Sequence, residues 1–191
     1  MTRVLYIVGG PPRVGKSALG RRVMEHQGVP WLSTDIVRTV VRSADRQIDE
    51  LDRGHADPDL VAERMYPYLQ RAVDVALGQC ETFLIEGVEW FPRHVAALGD
   101  RFEDVSLRAC FLGHVSYSLD DLASYQGMNR WHDDVLEDER QGLPRWIRHW
   151  SYRLRAECAE VGERYIDVGE LGFHGAMVVA ERSLFVEPAG R

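Results

Sequence analysis

The chain has 191 residues, of which 45% are hydrophobic and 28% charged, and its formal net charge is −7. This length suits one α/β domain spanning residues 1–191, and the composition excludes a disordered or fibrous protein. The acidic balance, without a run of basic residues, argues against a nucleic-acid binder. We predict a cytoplasmic protein that does not bind a membrane. The three cysteines lack metal-ligand spacing, and the sequence shows no signal sequence and no apolar stretch of transmembrane length.

Short apolar runs alternate along the chain with longer amphipathic segments, which is typical of βαβ units and a mainly parallel sheet. We predict strands at residues 3–8, 29–32, 82–85, 105–112 and 164–168. Helices are predicted at residues 16–27, 35–42 and 58–77, and Pro67 is expected to kink or split the third. Residues 43–57 and 126–142 are polar and are predicted to be loops or mobile insertions. A last long helix is expected to begin at Pro144, with a core-facing stripe of Trp146, Trp150, Leu154 and Cys158.

The most specific motif lies between the first strand and the first helix. Residues 10–17 match G-x-x-x-x-G-K-[ST], in which glycines let backbone N–H groups approach phosphate oxygens at the positive end of a helix. Lys16 is the only lysine of the chain, and this pattern places it to reach the β- and γ-phosphates, with Ser17 as a Mg²⁺ ligand. A chance glycine-rich turn is the alternative. The residues predicted to bind ATP are Gly10, Pro11, Pro12, Arg13, Val14, Gly15, Lys16, Ser17 and Ala18.

Two acids follow later strands, at the carboxyl edge of the sheet where ligands bind. Asp35 is predicted to orient or deprotonate the hydroxyl of an acceptor, and Arg38, one helical turn later, to bind an anionic group of that acceptor. The alternative is that Asp35 or a neighbouring residue only caps the helix. Glu86, beside Gly87, is predicted to hold Mg²⁺ or its water next to the substrate, and a simple turn acid is the alternative.

These residues, with Arg130-Trp131, the run "WIRHW" and the run "ERYIDV", resemble P-loop small-molecule kinases, in the branch that contains 2-phosphoglycerate kinase and zeta-toxin-like kinases. The resemblance implies a three-layer P-loop NTPase fold, with a five-stranded parallel sheet flanked by helices and a lid. It implies that residues 126–142 form this lid and supply arginines to the transferring phosphate. A self-paired cluster of charges is the alternative for this acid-rich segment. The candidate arginines are Arg130, Arg140, Arg145 and Arg148, with Arg130 and Arg145 the first choices.

The combined prediction is a kinase that transfers the γ-phosphoryl group of MgATP to a hydroxyl of a small metabolite. Its predicted catalytic residues are Lys16, Asp35, Arg130 and Arg145. Two alternatives are a nucleotide-dependent switch or NTPase, and a regulatory protein that binds ATP without an acceptor. A glycerate-like acid, a nucleoside, a nucleotide sugar, an amino acid and an antibiotic are all open as acceptors. The sequence gives no indication of the oligomeric state.

Overall fold

Five parallel strands form the centre of the molecule. The structure, a computed structural model, describes residues 3–53, 57–102, 104–124 and 137–186. The strand order is β2-β3-β1-β4-β5, so the strand that leads into the phosphate loop is the central one. The strands are β1 (Arg3–Gly9), β2 (Trp31–Ser33), β3 (Thr82–Gly87), β4 (Val105–Gly113) and β5 (Tyr165–Asp167).

Helices cover both faces of the sheet, which gives three layers. β1 shows why: Leu5 and Ile7 point into one core and Tyr6 and Val8 into the other, as in parallel strands that are buried on both faces. Helices α4, α5 and α7 contribute to the first core, and α1 and α8 to the second. The helices are α1 (Lys16–Gln27), α2 (Thr34–Ala44), α3 (Arg46–Arg53), α4 (Pro58–Gln79), α5 (Pro92–Arg101), α6 (Leu119–Ser124), α7 (Glu137–Val161) and α8 (Val168–Phe185).

All five predicted strands are confirmed, with shifts at their ends. β3 is longer than predicted, so Glu86 and Gly87 belong to the strand rather than following it. Pro67 lies inside α4 but does not split it, because Met65 and Leu69 on either side anchor the same helix in the core. The helices α5, α6 and α8 are not singled out by the sequence patterns.

Both segments predicted to be loops contain helix. In residues 43–57, α3 forms because Ile48 is buried in the core and Arg42 of α2 pairs with Asp49, with 3.1 Å between nitrogen and oxygen. The predicted lid overlaps α7, which begins before Pro144 and contains it. Residues 126–136 of that lid lie outside the described residues.

No helix in the part of the chain that the structure describes is both long enough and apolar enough to cross a lipid bilayer.

Gly87 is expected to tolerate no side chain, because a Cβ atom there would lie 1.7 Å from Thr34 Oγ1 and 2.6 Å from Thr34 Cβ. We expect Gly87→Ala to lower the free energy of unfolding by about 1–3 kcal/mol. Gly78→Ala in α4 is the matched control, since a Cβ there meets no atom within 4 Å and alanine favours the helix. Urea unfolding of both variants measures the difference, and equal midpoints would show that the close approach is no constraint.

Candidate active site

The phosphate loop connects β1 to α1 at the centre of the sheet edge. Gly15 precedes α1 with a φ of 94°, a left-handed conformation that favours glycine and directs the chain into the helix. The loop lies in a cleft of about 1540 Å³. Among the residues predicted to bind ATP, Gly10, Pro11 and Val14 are buried and do not line the cleft, and Val14 packs into the core. The loop residues that line it are Pro12, Arg13, Gly15, Lys16, Ser17 and Ala18.

Lys16 is buried at the start of α1. Its Nζ donates a hydrogen bond to the Pro11 carbonyl oxygen, at 2.8 Å, which holds the ammonium group over the loop. Burial lowers the pKa of Lys16, and the nearby Glu86 carboxylate opposes this shift. A desolvated ammonium group gains from an anionic ligand. The loop is therefore suited to bind a phosphate.

Ser17 and Glu86 meet across the gap between α1 and β3. Ser17 Oγ donates a hydrogen bond to Glu86 Oε1 at 2.9 Å, and Glu86 is only 1% exposed. Burial raises the pKa of Glu86, while the positive charge of Lys16 lowers it to a lesser extent. A hydroxyl and a carboxylate side by side are the oxygen donors that Mg²⁺ prefers, since it binds few protein ligands and keeps several waters. The two residues fit a magnesium site.

Asp35 is available for chemistry because a neighbouring residue caps the helix. Ser33 Oγ accepts the hydrogen bond from the Asp35 backbone N–H, at 3.3 Å, at the N-terminus of α2. The Asp35 side chain is 49% exposed and lines the cleft, and Arg38 Nη2 lies 3.3 Å from its Oδ1. The structure thus brings Asp35, Arg38 and Glu86 to the cleft that contains the phosphate loop.

Glu89 is a buried acid of this cleft that the sequence patterns do not single out. It is 1% exposed; its Oε2 accepts a hydrogen bond from Thr34 Oγ1, and its Oε1 lies 3.3 Å from Arg38 Nη1. Burial raises the pKa of Glu89, and the Arg38 guanidinium opposes this. The available signal is the spacing of two acids, Glu86 and Glu89, at the end of a buried strand. Glu89 links this strand end to α2.

Aromatic side chains stand at two sides of the cleft. The prediction of a core-facing stripe on α7 is confirmed for Trp150, Leu154 and Cys158, but Trp146 is 38% exposed and lines the cleft. The reason is that Trp146 lies one turn before the buried part of the stripe, with its ring centroid 5.0 Å from that of Trp150.

On the opposite side, Phe173 of α8 lines the cleft beside the loop and is 56% exposed. A Cβ on Gly15 would lie 2.8 Å from Phe173 Cε2, so the ring lies against the phosphate loop. Gly172, with a φ of 66°, interrupts the helical conformation just before this ring. Sequence patterns do not single out Phe173.

The candidate lid arginines that the structure describes do not line the cleft that contains the phosphate loop. Arg145 and Arg148 share one face of α7, as their spacing predicts, but they line a separate cleft of about 340 Å³ near α6. Arg148 Nη1 donates a hydrogen bond to the Tyr117 carbonyl oxygen at 2.6 Å. Arg140 lines neither cleft, and Arg130 lies outside the described residues. A role for Arg130 and Arg145 in transfer stays a prediction.

We expect Glu86→Gln to raise the free energy of unfolding by about 1 kcal/mol at pH 8, because desolvation of the Glu86 carboxylate outweighs its attraction to Lys16, and Gln keeps the shape and the acceptor oxygen. A carboxyl group whose pKa is raised by folding stabilises the fold at low pH and loses this contribution as pH rises through the folded pKa. The gain should therefore shrink as pH falls towards 4, which lies near the ordinary pKa of a Glu carboxyl. Urea unfolding at several pH values measures this, with Glu25→Gln, exposed on α1, as control. A gain independent of pH would contradict the electrostatic explanation.

Comparison with known proteins supports the fold but does not identify a substrate. No protein-family model matches the sequence, and no match is found among curated proteins. Shikimate kinase from Bacteroides thetaiotaomicron is 14% identical, with a TM-score of 0.55, over 96% of this chain and 99% of that chain. Gluconokinase from Sinorhizobium meliloti is 17% identical, with a TM-score of 0.54, over 95% of each chain. Shikimate kinase from Acinetobacter baumannii, in complex with shikimate, is 17% identical, with a TM-score of 0.50, over 95% of this chain and 90% of that chain. The chain therefore has the P-loop NTPase fold, in the form seen in these small-molecule kinases.

Proposed function

We propose that this protein is an ATP-dependent kinase that transfers the γ-phosphoryl group to a hydroxyl of a small metabolite. The observation that carries the proposal is that Lys16, Ser17, Glu86 and Asp35 line one cleft at the carboxyl edge of the sheet. The motifs also support the narrower proposal of kinship with 2-phosphoglycerate kinase and zeta-toxin-like kinases. A kinase that draws on the cellular pool of ATP would act in the cytoplasm.

The phosphate side of the cleft would hold the triphosphate of ATP. The N-terminus of α1 directs its backbone N–H groups at the phosphates, and Lys16 adds a positive charge where negative charge develops during transfer. Ser17 and Glu86 would hold Mg²⁺, which neutralises phosphate charge when it is bound. Because these groups are already in place in the fold, little reorganisation is needed when transfer occurs.

Asp35 would orient the acceptor hydroxyl for in-line attack. The hydroxyl oxygen forms the new P–O bond, and the bond between the γ-phosphorus and the bridging oxygen breaks, with its electron pair leaving on ADP. The hydroxyl proton passes to the Asp35 carboxylate and from there to water. The half-exposed position of Asp35 at the α2 N-terminus gives it access to both acceptor and solvent.

The nucleobase would lie on the β5 side of the cleft, against Phe173. We expect Phe173→Ala to raise the KM for ATP about tenfold, because stacking of a base on an aromatic ring contributes about 1–3 kcal/mol. The kcat should change little, since a base that stacks equally well in the ground state and the transition state contributes to KM and not to kcat. Leu171→Ala is the control, because Leu171 is also exposed on α8 but does not line the cleft. An unchanged KM for ATP would exclude this position of the base.

The function itself is tested by ADP formation from MgATP with a panel of small hydroxyl compounds. We expect acceptor-dependent ADP formation, lowered at least about 100-fold by Lys16→Ala, because a charge that stabilises the transition state is lost. Asp35→Asn should lower kcat about 10²- to 10⁴-fold, the usual contribution of a general base. Arg21→Ala and Asp100→Asn, both at exposed positions, are the matched controls.

The same assay separates the two other functions that the sequence leaves open. Hydrolysis of ATP that requires Lys16 but no acceptor would favour a switch or NTPase. Tight binding of ATP without any turnover would favour a regulatory protein. Either result would overturn the kinase proposal.

A further inference from the structure

The cleft has two sides, and the chemistry of the acceptor can be inferred from one of them. This inference rests on the proposed kinase function and concerns the substrate class of that same site. The phosphate loop divides the cleft: Phe173 stands on the β5 side, whereas Asp35, Arg38 and Glu89 stand on the β2–β3 side. We refer to the region lined by Asp35, Arg38, Glu89 and Trp146 as the acceptor pocket.

The positive charge of the acceptor pocket is already matched by carboxylates. Arg38 lies between two acids, with 3.3 Å from Nη2 to Asp35 Oδ1 and 3.3 Å from Nη1 to Glu89 Oε1. Arg42, the next guanidinium of α2 along the cleft, pairs with Asp49 at 3.1 Å. An anionic acceptor would have to compete with buried Glu89 for Arg38. The sequence alone suggests an anion for Arg38, but these ion pairs favour an uncharged ligand.

Glu89 has an acceptor oxygen that the described residues do not satisfy. Its Oε2 accepts the Thr34 hydroxyl, whereas its Oε1 faces Arg38 without accepting a hydrogen bond from any described residue, although it is fully buried. Buried polar atoms are normally hydrogen-bonded, so this oxygen favours a ligand that donates. A hydroxyl group can donate to it, and a carboxylate or an ionised phosphate cannot.

Trp146 adds an apolar surface to the same pocket. Its indole ring is partly exposed at the cleft and is held edge-on against Trp150, whose ring stacks on Phe91 just after β3. Binding pockets commonly combine an aromatic wall with a few polar groups that fix orientation. A compound with C–H groups on one face and several hydroxyls at its edge fits both Trp146 and the carboxylates.

We infer that the acceptor is an uncharged polyhydroxy compound, with hydroxyls that donate to Glu89 and Asp35 and an apolar face against Trp146. In this arrangement Glu89 determines specificity, because it neutralises Arg38 and so disfavours acids. Glu89→Gln keeps the side-chain shape but removes one of the two carboxylates that share Arg38.

The test measures binding by calorimetry, with Mg²⁺ and a non-hydrolysable ATP analogue filling the nucleotide side. The first probes are sorbitol, gluconate and glucamine, which share a carbon chain and end in a hydroxymethyl, a carboxylate and an aminomethyl group. Methyl shikimate and shikimate form a second pair. We expect wild-type protein to bind each neutral compound at least about tenfold more tightly than its acid.

Glu89→Gln is expected to strengthen the binding of the acids. The ratio of the affinity for a neutral compound to that for its acid should therefore fall about tenfold or invert. Glu81→Gln, an exposed acid just before β3, is the control and should leave the preference unchanged. Thermal unfolding shows whether Glu89→Gln is folded. If it is not, the relative binding of neutral compounds and acids by the wild-type protein still tests the uncharged acceptor.

The inference would be overturned if gluconate or glucamine bound more tightly than sorbitol, or if shikimate bound more tightly than methyl shikimate. It would also be overturned if neither sorbitol nor methyl shikimate bound. An unchanged preference in folded Glu89→Gln would remove Glu89 as its cause. ADP formation is measured separately, so the two proposals can fail independently. Binding of a neutral compound without ADP formation from any compound of the panel contradicts the kinase, whereas turnover of the acids alone contradicts only the uncharged acceptor.

Discussion

The parallel pairing of β1 with β3 is the constraint on which the rest of the site depends. Its register sets Val8 opposite Glu86 and Gly9 opposite Gly87, so β3 ends where β1 passes into the phosphate loop. Ser17 Oγ can therefore reach Glu86 across the sheet edge. β2 ends at the same level on the other side of β3, with Ser33 opposite Glu86, and α2 begins there. A shift of this register would separate the loop from both acids.

The register of β1 and β3 also places ionisable side chains where burial disfavours their charged forms. Burial shifts the pKa values of Lys16, Glu86 and Glu89 towards their neutral forms. Two apolar cores, one on each face of the sheet, stabilise the framework that holds these groups. Preorganised charges of this kind favour a transition state more than they favour the empty protein. The electrostatic cost of the site is thus consistent with a catalytic role.

The sequence predicts the parts of the site that depend on local backbone geometry. The phosphate loop is encoded in one short motif, and Asp35 and Glu86 each mark the end of a strand. Trp146 and Phe173 could not be predicted this way, and the spacing of Glu86 and Glu89 is only a weak signal for Glu89, because their positions at the cleft depend on how β3, α7 and α8 pack around it. The helix α3 was missed for a related reason, since only the tertiary contact of Ile48 distinguishes it from a polar loop. The side of α7 that carries Arg145 is likewise set by tertiary packing, since Ile147 of α7 and Leu122 of α6 share a small core.

In the proposed kinase, the residues that stabilise the fold differ from those that would contact the acceptor. The structural neighbours share the sheet and its helices at 14–17% identity, which means that the framework persists while most side chains differ. In the proposed kinase the loop and its acids would act on ATP, which is common to kinases, whereas Arg38 and Glu89 would act at the acceptor. Thr34 donates a hydrogen bond to Glu89 and packs closely against Gly87. Substitutions at these positions would therefore alter the charge that the proposed acceptor meets, without disturbing the phosphate loop. In the proposed kinase, specificity could therefore diverge at the ends of β2 and β3 while the residues proposed for transfer are retained.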